Sequence, residues 1–110
     1  MAKYLFQGSY IGEGLKGLLK EGGSKRIEAA HQLFGSLGGK LESFYFAFGE
    51  DDLIIIFELP DNVSAATFSL FINSTGTAKG KVTVLLTPEE IDKAVTKSPA
   101  YRAPGQTQPA

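Results

Sequence analysis

Five consecutive apolar residues, Leu53-Ile54-Ile55-Ile56-Phe57, constrain this chain more than any other segment. A strand with one wet face alternates apolar and polar residues, and a strand without alternation needs cover on both faces. Phe44-Tyr45-Phe46-Ala47-Phe48 is a second apolar run, separated from the first by Gly49-Glu50-Asp51-Asp52. Aromatic and β-branched runs around a Gly/Asp break predict a β-hairpin. In 110 residues the chain's own helices can cover one sheet face and little is left for the other, so a second subunit is the expected cover.

The rest of the chain supplies those helices. Lys3 to Ser9 is a strand with Tyr4, Phe6 and Gly8 on one face and Leu5, Gln7 and Ser9 on the other. Glu13 to Lys20 is a helical piece with Leu15, Leu18 and Leu19 as its apolar side, interrupted by Gly22-Gly23. Ser24 is the expected N-cap of a second helix, whose stripe is Ile27, Ala30, Phe34 and Leu37 and which Gly38-Gly39 closes. Strands follow over Lys40 to Phe48 and Asp52 to Leu59. Asp61 or Asn62 caps a third helix with Ala65, Phe68, Phe71 and Ile72 inward, stopped by Gly76. Lys81 to Thr87 is the fourth strand, and Thr87-Pro88-Glu89-Glu90 opens a short helix with cap, Pro at the first position and a capping box. Residues 1–98 form one domain, and 99–110, with Pro99, Pro104 and Pro109, form an extended tail expected to lie against its own domain or a neighbouring subunit.

The order βαββαβ plus a terminal helix is an α+β, ferredoxin-like arrangement with an antiparallel four-stranded sheet. Strands one and three take the centre and strands two and four the edges. Two such sheets packed face to face form a dimeric α/β barrel, so the expected partner is a second copy of the chain, in a dimer or higher homo-oligomer.

Composition removes several functions. Eleven basic against 12 acidic residues give a net charge of −1, which offers nothing to drive nucleic-acid binding. Without cysteine there is no disulfide, thiolate nucleophile or cysteine metal site. No signal peptide or membrane-length apolar run is present, and the cytoplasm is the expected location.

Several segments resemble the GYD domain family, small bacterial proteins related to the dimeric α/β-barrel superfamily. They are Tyr4 to Tyr10, Gly14 to Arg26, Leu37 to Glu42, Phe44 to Glu50 and Leu59 to Ala65, within a match over about residues 3 to 98. Of the Gly, Tyr and Asp that name the family, Gly49 and Asp52 are present and Asp51 stands in the tyrosine's place, so no role of that tyrosine carries over. The resemblance implies the fold and oligomerisation but no activity. The wider superfamily includes cofactor-free monooxygenases, isomerases, dehydratases and haem-handling proteins, and fold alone does not choose among them.

Candidate chemistry is sparse. Gly12-Glu13-Gly14-Leu15-Lys16-Gly17 spells GxGxxG, but a dinucleotide site needs a parallel βαβ unit around it. A flexible strand-to-helix connection is the plainer reading, with weak anion binding by Ser9, Gly12, Gly14 or Ser24 as the remnant. His31, the only histidine, and Glu58, a carboxylate in an apolar strand, are the candidate general bases. Gln7 is expected beside Glu58, because strands one and three pair. Tyr4, Tyr10 and Tyr45 offer hydroxyls to a pocket, though tyrosines are more often core residues with a solvated tip. Glu50, Asp51 and Asp52 read as a solvated turn without calcium-loop spacing. No cofactor or metal site is expected.

Three readings follow. In the first, a small oligomer binds a largely apolar small molecule between sheet and helices, with Gln7, Tyr10, His31, Tyr45 and Glu58 around it. The second is a cofactor-free isomerase or monooxygenase with Glu58 or His31 as base, which needs one of them aimed into an enclosed cavity. The third is a protein-interaction module, which needs a filled core and further exposed apolar surface.

Overall fold

The computed structural model describes residues 1–107. β1 (Ala2–Tyr10), α1 (Glu13–Glu21), α2 (Ser24–Ser36), β2 (Lys40–Phe46), β3 (Leu53–Leu59), α3 (Asn62–Ser74), β4 (Ala78–Leu85) and α4 (Pro88–Ala94) follow in that order. The sheet order is β2-β3-β1-β4 and every pairing is antiparallel, which is the ferredoxin-like sheet with β1 and β3 central. No helix among the described residues is long and apolar enough to cross a membrane.

The core lies on one face of the sheet, beneath α2 and α3. Tyr4 and Phe6 of β1 and Leu53, Ile55, Phe57 and Leu59 of β3 are buried there with Ala30, Phe34, Ala65 and Phe68 from the helices. Phe57 is its hub, stacked on Phe34 at 4.2 Å between ring centroids and set edge-on to Phe68 at 5.2 Å. The opposite face carries Leu5, Gln7 and Ser9 of β1, Ile54, Ile56 and Glu58 of β3, Ser43 and Tyr45 of β2, and Lys79, Lys81 and Thr83 of β4, as the register dictates. Ile54 and Ile56 are only partly covered there, whereas their neighbours Ile55 and Phe57 are buried.

The ends of the helices follow local chemistry. Asp61 caps α3, its Oδ1 accepting from the Ser64 N–H at 2.8 Å, and this bond holds the carboxyl below its ordinary pKa. Gly38, at φ 80°, ends the turn after α2, with the Gly39 N–H donating to the Phe34 carbonyl. The Thr87 capping box forms with both its bonds, Glu90 N–H to Thr87 Oγ1 and Thr87 N–H to Glu90 Oε1.

Four expectations need correction, the first being the inward stripes: Phe71 of α3 and Ile27 of α2 are exposed, at 56% and 39%. Gly23, not Ser24, occupies the N-cap of α2, and no side chain caps that helix. β2 ends at Phe46, which leaves Phe48 fully exposed at the hairpin tip, and β4 starts earlier, at Ala78. α1 buries no residue: Leu15 and Leu19 are exposed, because the helix sits off the end of the sheet with Gly14 against Thr77. Of the two places expected for the tail, its own domain offers no cover to residues 99–107: all are exposed except the partly covered Ala103, and Pro109 lies outside the described residues.

Candidate functional site

The structure places Tyr10 on one side of the sheet, Gln7, Tyr45 and Glu58 on the other, and His31 on neither. On the helix side, a cavity of about 70 Å³ is lined by Phe6, Phe34, Ile55, Phe68 and other apolar residues, with Tyr10 and Arg26 as its only strongly polar members. Arg26 reaches it from α2. Its Nε donates to the Tyr10 hydroxyl at 3.2 Å, its Nη1 donates to Glu21 Oε1 at 3.2 Å, and the guanidinium lies 6.0 Å from the Tyr10 ring centroid. Partial burial disfavours the Arg26 charge, but its bonds to Tyr10 and Glu21 outweigh this and leave the guanidinium above its ordinary pKa. Arg26 is absent from the sequence-derived candidates because its spacing carries no signal; only the fold brings it to Tyr10, 16 residues away.

Gln7, Tyr45 and Glu58 lie on the open face, away from that cavity. The register places Glu58 opposite Lys3 and Gln7 opposite Ile54, so the expected Gln7–Glu58 adjacency does not form. Glu58 instead sits 3.5 Å from the Lys40 ammonium across the β2–β3 pair, and Lys3 binds Glu42 Oε1 at 2.8 Å, which holds the Lys3 ammonium above its ordinary pKa. Tyr45 is 66% exposed. His31 is exposed on α2 and lines neither surface. An enclosed cavity with Glu58 or His31 aimed into it is therefore not what the single chain presents.

The glycine run also loses its dinucleotide reading. β1 is antiparallel to both its neighbours, and no neighbouring atom lies within contact distance of the Gly17 Cβ position, so that glycine does not mediate close helix–strand packing. The turn acids diverge: Glu50 and Asp51 border a concavity on the open face with Gln7, Ser9, Lys79 and Lys81, while Asp52 lines a groove with Leu15, Leu18 and Phe46.

The open face itself has an order. Leu5, Ile54 and Ile56 form an apolar centre, flanked at one end by Lys3, Lys40, Glu42 and Glu58 and at the other by Lys79, Lys81, Glu50 and Asp51. An apolar centre with a charged rim is the anatomy of a protein interface. The sequence model of the GYD domain matches residues 4–95, from β1 through α4. No curated protein and no solved structure matches the chain significantly.

Proposed function

Because the chain belongs to the GYD domain family, and that family's domain runs from β1 through α4, we propose that the protein works as a homo-oligomer assembled through the open face of its sheet. The observation that carries this reading is β3, buried on its helix side and only partly covered at Ile54 and Ile56 on the other. Partly covered apolar centres with charged rims associate because water release favours it by about 25 cal/mol per Å² of apolar surface. A second copy supplies the matching cover by two-fold symmetry. Lysine at Ile56 puts an unpaired charge at the middle of that contact. Sedimentation equilibrium of Ile56→Lys is expected to show monomer at concentrations where the unmodified chain is dimeric or larger, with an unchanged far-UV spectrum because Ile56 lies outside the core. Equal masses for both proteins would contradict the reading.

The Tyr10–Arg26 pair favours a second, compatible reading, in which the helix-side cavity binds a small molecule. A cavity that holds the six carbons of benzene measures about 150 Å³, so one of about 70 Å³ takes roughly three heavy atoms, the carbons of a short acid whose carboxylate oxygens meet Arg26. Arg26 has five N–H donors and uses two, which leaves it able to receive a carboxylate while the apolar lining takes a short chain. Titration with propionate, followed by amide NMR, is expected to move resonances near Ala30, Ile55 and Phe68, and Arg26→Leu is expected to abolish the shifts. Shifts confined to the surface would remove this reading.

A further inference from the structure

The C-terminal arm has no place on its own domain. From Leu86 to Arg102 every residue is exposed, including Leu86, Ile91, Val95 and Tyr101. The chain measures 63 × 29 × 22 Å with a radius of gyration of 18.3 Å, against about 13 Å for a compact domain of this length. α4 has seven residues, and helices shorter than about 12 to 15 residues are marginal in water unless an apolar side is packed. Ile91, Ala94 and Val95 form that side, and the arm leaves it bare.

We infer that the C-terminal arm of one copy docks on the open sheet face of a second copy, with α4 at the end that carries Lys79 and Lys81. This rests on the proposed assembly and names the part of the second copy that supplies the cover. Two observations select that occupant. The first is charge. Glu89 and Asp92 on α4 and Lys79 and Lys81 on β4 take part in no ion pair among the described residues. The concavity beside Lys79 and Lys81 also presents Glu50 and Asp51, which suit Lys97 and Arg102 further along the arm. Acid-then-base along the arm thus meets base and acid on the face.

The second is area. Four strands at about 4.8 Å spacing and seven residues at about 3.4 Å rise give the face a footprint of roughly 450 Å². Stable interfaces bury about 800 Å² on each partner, so the sheet face alone falls short. The arm makes up the difference. Its helix is about 10 Å long, and residues 97–103 after it reach up to about 24 Å, together more than the 29 Å breadth of the molecule.

The chain has no cysteine, so single thiols can be placed at will. Full-length Asp92→Cys, carrying a size tag, is mixed with untagged Lys79→Cys, equilibrated and treated with a short bismaleimide. The expected product is the mixed dimer, in clear excess over the yield with Gln32→Cys on the outer side of α2 as the second partner. Separately, Glu89→Lys with Asp92→Lys is expected to weaken the dimer roughly three- to tenfold, the range for a pair of exposed ion pairs, and Lys79→Glu with Lys81→Glu in the same chain to restore it. A dimer that gives no excess over the control overturns the arm docking and leaves the sheet assembly standing. A chain carrying both thiols that links only to itself also overturns it, because the arm then serves its own face. A protein that is monomeric throughout overturns both.

Discussion

Phe6 shows how single residues set this fold. Its ring lies over Gly8 and Gly80, which face each other across the β1–β4 pair. A Cβ at Gly80 would meet the Phe6 ring at 2.5 Å and the Gln7 carbonyl oxygen at 2.5 Å, and one at Gly8 the Lys79 carbonyl oxygen at 2.5 Å. Backbone cannot yield as a side chain can, so Gly80→Ala is expected to cost about 1 to 3 kcal/mol in a denaturant titration, the usual penalty for overpacking. A change within error would mean the strands separate at little cost. Asp61 gives a pH prediction. Its folded pKa lies below the ordinary 3.8 because the Ser64 N–H favours the carboxylate. The cap's contribution is therefore complete above the unfolded value and is lost as pH falls through the folded one. Asp61→Asn keeps an acceptor without the charge, and its thermal midpoint is expected to fall less steeply than that of the unmodified chain below about pH 4. Parallel acid slopes would show that the cap's charge contributes nothing.

Elements were legible in the sequence where periodicity and caps agreed. β3 announced itself by five apolar residues, α3 by Asp61 and its inward Ala65 and Phe68, and α4 by Thr87 and Glu90. What sequence could not show is where an element's apolar side goes. Leu15, Leu18 and Leu19 have helical spacing, yet α1 stands off the sheet and leaves Leu19 81% exposed, because spacing reports a stripe and not its neighbour. The candidate residues lie apart for a related reason. Residues on one strand alternate between faces, so Gln7 and Tyr10 belong to opposite sides of β1, and the Tyr10–Arg26 contact joins elements whose approach no local pattern encodes. α4 carries its own prediction. If it packs only in the assembly, its amides are expected to exchange quickly at concentrations where the protein is monomeric and to gain protection as the oligomer forms, while those of β3 stay protected throughout. Concentration-independent exchange of α4 would place its support within the single chain.

At the scale of the whole molecule, the nearly filled core, the half-covered Ile54 and Ile56 and the bare arm are the observations that support the proposed assembly of more than one chain. A filled core and further exposed apolar surface are what an assembly protein requires, and the small Tyr10–Arg26 cavity limits any ligand to a few atoms. Native mass spectrometry of the full-length protein at micromolar concentration tests this most directly. The account predicts a principal species at twice 11.8 kDa or a higher multiple, which collapses to 11.8 kDa in Ile56→Lys. A principal species at 11.8 kDa in the unmodified chain would contradict it.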